Sequence, residues 1–415
     1  MDKRNPKPRQ KTKYSFLKIL TGSDLSIRRL AMMEVSAPEP GPVVWLTGCV
    51  HGDEVGGMVV IQEIFKRLKK RPLKKGSLMA FPLMNPVGFE TGSRSIGFSK
   101  EDLNRSFPGD KNGSMAERIA DTIFSNVLKT GPALVIDLHN DWIKSIPYAL
   151  IDPNPGARHK DNYEKVKTFA KSSGFLVISE KEDAANVEML KKTLTGSLIQ
   201  RDVPAFTMEL GEAYIVNEKN VSDGVRSVWT ILAHLEMAEP LAEPFNYQLP
   251  PALKNKVLKY SQRPESPSSG IVRFLLKPGD LVRAGQPVAR IYNVFGKLLK
   301  TIAAETDGLA LGHADYSVAL PGLPLVAFGI MDKDIAAKVM PPPDKPASPE
   351  KPSPAPAKPA PEKPAPVKPA PEKPAPEKPA PAAVRKEPDD KKKPGSEKPA
   401  TGEEHGKQDG PGRKT

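Results

Sequence analysis

Short apolar segments alternate with helix-length amphipathic segments from residue 42 to residue 237. Strand-length apolar runs occur at residues 42–49, 78–83, 133–138, 148–151, 175–179 and 205–210. Apolar residues recur at helical spacing at residues 55–70, 114–128, 163–170, 187–200 and 221–237, and Ser114 is a suitable N-cap. Strands separated by helices are typical of an α/β domain with a mostly parallel or mixed sheet.

A different pattern begins near residue 241, where short strand-like runs are separated by Gly and Pro. This pattern predicts a small all-β domain at residues 241–338. Its sequences Lys277-Pro-Gly-Asp and Thr306-Asp-Gly resemble the hammerhead folds of biotinyl and lipoyl carriers. A carrier displays a lysine in a Met-Lys-Met or Asp-Lys-Ala context, and this region has neither. The resemblance therefore implies the hammerhead shape without the carrier function.

The two ends of the chain have compositions that oppose folding. Residues 339–415 consist largely of Lys-Pro-Ala-Pro-Glu units, and 22 of the 46 prolines lie after residue 340. Such a segment cannot bury enough apolar surface to offset its ordering entropy, so it is predicted to be a disordered tail. Residues 1–13 are predicted to form a disordered basic arm. The stretch between them, about residues 14–340, has enough apolar residues for a substantial core, and residues 14–240 of it are predicted to form the α/β domain.

The net charge of +13 is concentrated at the ends. Residues 1–13 contribute +5 and residues 341–415 contribute +4, which leaves +4 for the rest of the chain. This weak excess does not predict nucleic-acid binding, but it would suit a small anionic substrate. The one cysteine, Cys49, excludes an intrachain disulfide framework and is expected to be buried. Without a signal-like or membrane-spanning segment, the protein is expected to be cytoplasmic and to lack a membrane partner.

Three potential metal ligands, two His and one Glu, stand at predicted strand ends or in the loop that follows one. His51 and Glu54 form a His-x-x-Glu pair in a loop rich in small residues, and His139 ends the strand predicted at residues 133–138. Two imidazoles and one carboxylate fill three positions of a tetrahedral zinc ion and leave the fourth for water. Because ligands collect at the carboxyl ends of strands in open α/β sheets, these side chains are predicted to form a catalytic site for one Zn²⁺. Asp137 and Asn140 are available to support the ligands.

Other polar residues are candidates for proton transfer and substrate binding. Glu209 lies inside an apolar strand, where an unpaired carboxylate is costly, and is predicted to be the general base and acid. Asn104 and Arg105 are predicted to hold a substrate carboxylate, because the Arg fork binds carboxylates bidentately. Arg94 is a second candidate cation, with a surface ion pair as the alternative.

Four motifs occur in the order His51-Gly-Asp-Glu54, Asp102-Leu-Asn-Arg105, Asp137-Leu-His139-Asn and Met208-Glu209-Leu-Gly. In this order they resemble the succinylglutamate desuccinylase/aspartoacylase family, which is similar to zinc carboxypeptidases. The resemblance spans about residues 14–328. It implies a carboxypeptidase-like three-layer α/β domain with a β domain that caps the active site. It also implies the zinc, base and substrate-carboxylate roles given above, and it adds Tyr316 as a candidate substrate contact.

The main functional hypothesis is a zinc-dependent deacylase of an N-acyl amino acid or a similar small carboxylate-bearing amide. A metallocarboxypeptidase that acts on short peptides would use the same residue types. A non-catalytic scaffold that kept the fold is a third hypothesis, because Pro-x-x-Pro spacings such as Pro361-Glu-Lys-Pro364 suit a weak protein partner. Oligomers are possible under all three hypotheses.

Overall fold

The structure is a computed structural model that describes residues 10–21, 25, 27–313 and 317–340. The chain divides into a unit of residues 1–345 and a unit of residues 346–415. The second unit and the predicted tail after residue 340 lie outside the described residues. Gln10, within the predicted N-terminal arm, exchanges hydrogen bonds with the backbone of Leu73. The prediction for residues 1–9 lies outside the described part.

The described residues form strands and helices in a mixed α/β arrangement. The strands are β1 Lys13–Thr21, β2 Ile27–Ser36, β3 Glu39–Gly48, β4 Lys75–Phe81, β5 Leu134–Asp141, β6 Lys144–Ser145, β7 Pro147–Ile151, β8 Val177–Ser179, β9 Ala205–Glu212, β10 Val257–Ser261, β11 Gly270–Phe274, β12 Leu281–Val282, β13 Pro287–Tyr292, β14 Leu298–Ala303, β15 Gly308–His313, β16 Val318–Ala319 and β17 Val326–Ile330. The helices are α1 Gly56–Leu68, α2 Pro86–Thr91, α3 Met115–Lys129, α4 Lys160–Ser172, α5 Ala184–Leu190, α6 Leu194–Ile199, α7 Glu218–His234 and α8 Lys333–Val339.

A large sheet runs through the whole first unit, in the order β1-β2-β4-β3-β5-β9-β7-β8-β10-β17-β15-β12. The neighbours β4, β3, β5 and β9 are parallel, whereas β7 is antiparallel to β9 and parallel to β8. Helices cover both faces. Trp229 of α7 and Phe65 of α1 belong to the apolar core on one face, and Ile123 of α3 belongs to the core on the other. The predicted mixed-sheet α/β fold is therefore confirmed.

The C-terminal region is not a separate sheet appended to the first. Its strands β10, β12, β15 and β17 extend the large sheet, and the short β6 pairs with β15. The strands β14, β13, β11 and β16 form a second, four-stranded sheet. The predicted β-rich composition is present, but the predicted border at residue 240 is not a border of the large sheet. Parallel pairing of β10 with β8 continues the large sheet across that position.

Two further differences from the sequence predictions have local causes. The single helix predicted for residues 187–200 is two helices, α5 and α6. The Thr193 side chain accepts a hydrogen bond from Gly196 N and so caps the second helix. The Leu194 N–H donates to Asn104 Oδ1 at 2.9 Å, which holds the break in place. The hairpin of β1 and β2 was not predicted, whereas the Ser114 cap is confirmed and forms a capping box with Glu117.

Within the described residues, no helix has both the length and the apolar composition that a membrane span requires.

Candidate active site

His51, Glu54 and His139 converge at the carboxyl ends of β3 and β5. The Nδ1 atom of His51 lies 2.5 Å from Glu54 Oε1, and the Nδ1 atom of His139 lies 2.9 Å from Glu54 Oε2. One potential ligand atom from each residue falls within a 4.8 Å cluster, and all three residues are buried. The parallel pairing of β3 with β5 produces this convergence, because both strands end at the same edge.

Glycines allow the loop after β3 to pass close to its neighbours. A Cβ atom on Gly52 would lie 1.9 Å from the backbone carbon of Gly88, and one on Gly56 would lie 2.7 Å from Asn140 Oδ1. Asn140 accepts a hydrogen bond from Gly56 N and donates to the backbone oxygens of Gly211 and Glu212. Asn140 therefore joins the first turn of α1 to the end of β9, and its backbone N–H donates to Glu54 Oε2.

Carboxylates orient both imidazoles from the outside. Asp137 Oδ2 lies 2.9 Å from His139 Nε2, and the other Asp137 oxygen accepts a hydrogen bond from Thr47. On the other imidazole, Asp102 Oδ1 lies 3.2 Å from His51 Nε2. The contact of Asp137 with His139 matches the expected supporting position. The contact of Asp102 was missed, although its position beside Asn104 and Arg105 was a usable signal.

Two of the clustered groups, Glu54 and His139, have shifted pKa values. Burial raises the pKa of Glu54, but His51 and His139 outweigh burial and hold this pKa well below its ordinary value. Burial lowers the pKa of His139, but Asp137 and Glu54 reverse the effect and raise it well above its ordinary value. The cluster therefore stabilises positive charge between its carboxylates. A divalent cation that displaced the imidazole protons would meet two nitrogens and a carboxylate oxygen, the donor set that suits zinc.

Glu209 stands beside the cluster on the neighbouring strand. β5 and β9 are parallel, and His139 is the register partner of Glu209. Glu209 is 8% exposed, and its Oε2 atom is buried without a hydrogen-bond partner among the described residues. Burial raises the pKa of Glu209 well above its ordinary value, against the opposing effect of His139. A buried carboxylate with an unsatisfied oxygen and a raised pKa has the properties of a proton acceptor and donor.

The predicted substrate-binding residues have different surroundings. Arg94 donates from Nε and Nη2 to Asp102 Oδ2 at 3.1 and 2.9 Å, so it takes part in an ion pair at the rim. Asn104 uses its side-chain oxygen to hold Leu194. One Arg105 N–H group donates to Asn104 O at 2.7 Å, and the residue lines the cavity. Tyr316 lies outside the described residues.

A cavity of about 130 Å³ contains the cluster, Glu209 and both arginines. The remaining lining residues are Asn104, Asn140, Asp141, Leu150, Asp152, Glu180, Leu190, Thr193, Thr195 and Thr207. Within the described residues, the lining comes entirely from positions 51–209, so no contribution from the predicted β cap is seen there. Five of the lining residues are Asp or Glu and two are Arg. The positive net charge of the chain is therefore no guide to the charge of this cavity.

The comparisons with known proteins agree with this architecture. Residues 40–235 match the sequence model of the succinylglutamate desuccinylase/aspartoacylase catalytic domain. The N-alpha-acetyl-L-2,4-diaminobutyric acid deacetylase of Halomonas elongata is 27% identical over 306 residues, covering 71% of this chain and 85% of the relative.

Solved structures share the fold at low sequence identity. A succinylglutamate desuccinylase/aspartoacylase from Rhodobacter sphaeroides has a TM-score of 0.65 and 20% identity, covering 76% of this chain and 95% of that one. The product-bound ectoine utilization protein EutE from Ruegeria pomeroyi has a TM-score of 0.64 and 20% identity, covering 79% and 98% of the two chains.

The relatives that match are named as a deacetylase and as succinylglutamate desuccinylase/aspartoacylase proteins. Residues 40–235 of this chain are therefore similar to the catalytic domain of the succinylglutamate desuccinylase/aspartoacylase family. The family resemblance predicted from the four motifs is confirmed.

Proposed function

We propose that this protein is a zinc-dependent deacylase that hydrolyses the amide bond of a small N-acyl amino acid. The observation that carries the proposal is the buried His51, Glu54 and His139 cluster with the unsatisfied Glu209 carboxylate on the adjacent strand. The deacetylase from Halomonas elongata, whose name specifies an N-acetylated diamino acid, supports the substrate class. The cavity volume of about 130 Å³ favours a small amide over a peptide.

The proposed metal ligands are His51, Glu54 and His139, each through one side-chain atom. A zinc ion held there would polarise the scissile carbonyl and make a nearby water more acidic. Asp137 and Asp102 keep the ring nitrogens on the far sides of His139 and His51 engaged, which directs the Nδ1 atoms inward.

Glu209 is proposed to move the proton that hydrolysis requires. Its carboxylate accepts a proton from the attacking water as the new carbon–oxygen bond forms. It then returns that proton to the amide nitrogen as the carbon–nitrogen bond breaks, so the products are a carboxylic acid and an amine, which ionise to a carboxylate and an ammonium group. Its burial, with 8% of the residue exposed, limits contact of the carboxylate with bulk water. Arg105 is proposed to hold the carboxylate of the substrate.

Metal analysis combined with a hydrolysis screen tests this function. Protein purified without chelator should contain one zinc per chain and should hydrolyse N-acetyl amino acids faster than the corresponding dipeptides. Chelation should abolish activity, and added zinc should restore it. Metal-loaded protein that prefers dipeptides would instead favour a carboxypeptidase. If the protein binds zinc but hydrolyses neither substrate, both the deacylase and the carboxypeptidase hypotheses are wrong.

A further inference from the structure

Asp152 and Glu180 form a second pair of carboxylates in the same cavity. They follow directly on the parallel strands β7 and β8, whose last residues Ile151 and Ser179 are register partners. The Glu180 N–H donates to Ile151 O at 2.9 Å, which keeps the two strand ends aligned. The sheet therefore brings these two carboxylates together, although they are far apart in sequence.

The two carboxylates differ in their partners: Glu180 accepts hydrogen bonds from Lys181 N and Asn186 and is attracted by Arg105, whereas Asp152 keeps one oxygen unsatisfied. The Oδ2 atom of Asp152 is buried and has no hydrogen-bond partner among the described residues. Burial and the neighbouring Glu180 raise the pKa of Asp152 to about 7, and burial also raises the pKa of Glu180. A buried carboxylate oxygen without a donor is costly, and an ammonium group that donates to Asp152 and to the neighbouring Glu180 would remove the cost.

The pair lies at the far end of the cavity from the proposed zinc ligands. Tyr148 of β7 is the register partner of Glu209, and Asp152 lies four residues further along, about 13 Å at the usual rise of a strand. Leu150 and Thr207 are register partners between these ends and both line the cavity. The cavity is therefore elongated along β7 and β9.

Arg105 also lines the cavity. Its guanidinium is attracted both by Asp102, the carboxylate that contacts His51, and by Glu180. The cavity therefore holds a proton-transfer group at one end, an acidic pair at the other and a cation among its lining residues. An Nα-acyl diamino acid carries its amide and its carboxylate on one carbon and its ammonium group further along the side chain, so it offers a partner to each.

We propose that Asp152 and Glu180 form an ammonium subsite, and that the substrate is an Nα-acyl amino acid with a cationic side chain. This inference rests on the proposed deacylase function and specifies its substrate. A neutral side chain would leave the buried Asp152 Oδ2 atom without a partner, and an anionic one would add repulsion. An isomer acylated on the side-chain nitrogen would place its carboxylate and its free amine together at one end.

A substrate panel tests the subsite with the intact zinc-loaded protein. The cationic probes are the Nα-acetyl derivatives of L-2,4-diaminobutyrate, L-ornithine and L-lysine. Nα-acetyl-L-norleucine, Nα-acetyl-L-glutamate and Nε-acetyl-L-lysine are the neutral, anionic and isomeric controls. We expect kcat/KM for the best cationic probe to exceed that for norleucine by roughly 30-fold or more, the size expected for a buried charge pair.

Asp152→Asn and Glu180→Gln test the two carboxylates directly. Each should lower kcat/KM for the cationic probe by roughly 30-fold, mainly through KM, and leave the norleucine derivative nearly unaffected. Glu182→Gln is the matched control, because Glu182 is an exposed carboxylate two residues further on. If a variant fails to fold, product inhibition of the wild type by free L-ornithine, compared with L-norleucine, gives the same comparison.

The outcomes separate the two proposals. If no N-acyl amino acid is hydrolysed by zinc-loaded protein, the deacylase function itself is wrong. If the wild type hydrolyses neutral and cationic probes equally well, or if the variants weaken all probes equally, the ammonium subsite is wrong and the deacylase function stands.

Discussion

Two cavities of opposite charge lie on different parts of the large sheet and its helices. The larger, of about 610 Å³, lies between α1 and α7 and is lined by the cations Lys66, Arg67, Lys70 and Arg71 with the carboxylates Glu63 and Glu218. The smaller, of about 130 Å³, contains the candidate active site and is rich in carboxylates. Outside the chain ends the net charge is only weakly positive, yet seven of the ten residues 66–75 are Lys or Arg.

The difference between these cavities lies in whether their charges have partners. In the basic cavity, Lys66 pairs with Glu63, and Arg67 and Arg71 both lie over the ring of Trp229. In the acidic cavity, Glu209 and Asp152 each keep a buried oxygen without a hydrogen-bond partner among the described residues. Cavity size is therefore a poor guide to chemistry here. Unsatisfied buried carboxylates distinguish the cavity of the candidate active site.

The largest expected effect would follow from neutralising Glu209. Glu209→Gln should reduce kcat by about 10²- to 10⁴-fold, the usual contribution of a positioned general base, while zinc content stays unchanged. Glu212→Gln on the same strand is the matched control, because that carboxylate accepts hydrogen bonds from Asn217 and Asn220. Kinetics and elemental analysis of both variants check this. Near-native turnover in Glu209→Gln would show that the unsatisfied carboxylate does not identify the catalytic cavity.

A smaller effect is expected from the residues that orient the imidazoles. Asp137→Asn and Asp102→Asn should each weaken zinc affinity by roughly 10- to 100-fold, because carboxylates behind ligating histidines fix the ring orientation. Competition with a chelator of known affinity measures the change. Asp161→Asn, at an exposed position on α4, should bind zinc like the wild type. If Asp137→Asn and Asp102→Asn both bound zinc as tightly as the wild type, these carboxylates would not orient the imidazoles.

The burial of Asp152 predicts a pH-dependent change in stability. Its pKa rises from the ordinary 3.8 to about 7 on folding, so the native state retains a proton that the unfolded state releases between these values. This contribution to stability is present below pH 4 and lost as the pH rises through 7. Asp152→Asn should therefore raise the free energy of unfolding at pH 8 by roughly 1–3 kcal/mol, with little change at pH 4.

Urea unfolding at the two pH values measures this difference, with Glu182→Gln as the exposed control. Equal effects of Asp152→Asn at both pH values would mean that Asp152 titrates normally in the free protein. Ionised Asp152 would then not destabilise the folded state.

The smallest effect is expected in the basic cavity. Arg71 donates to the backbone oxygens of Glu239 and Pro240 and lies 5.3 Å from the Trp229 ring centroid. Arg71→Gln should lower the free energy of unfolding by about 0.5–1 kcal/mol and leave kcat/KM unchanged. Thermal unfolding and the hydrolysis assay together check this. A large loss of activity would show that the basic cavity takes part in function.

Several site residues could be predicted because their chemistry conflicts with their local sequence. Glu209 in an apolar strand and His139 at a strand end are conspicuous without any structure. Asp152 is not, because Asp152-Pro-Asn-Pro is typical of an ordinary loop. Its pairing with Glu180 depends on the order and register of β7 and β8, which a single sequence does not contain.

Long-range pairing also explains where the observed fold differs from the fold predicted from sequence. The strand-like runs after residue 257 were recognisable, but their membership of the large sheet depends on the contact of β10 with β8. The break between α5 and α6 depends on Asn104, a residue distant in sequence. Local patterns predicted whether a segment forms a strand or a helix, and tertiary contacts determined which sheet a strand joins and where a helix ends.

The shared sheet means that the matched catalytic region is not a self-sufficient piece of protein. The family match ends at residue 235, whereas the large sheet continues from β8 into β10 and β17. A chain cut after residue 240 would lose Leu258, which belongs to the same apolar cluster as Tyr148 and Ile178, and would bare one edge of β8. The segment that sequence comparison can recognise and the segment that can exist alone therefore have different lengths. Exchanging or trimming catalytic regions among such proteins should move the C-terminal strands with them.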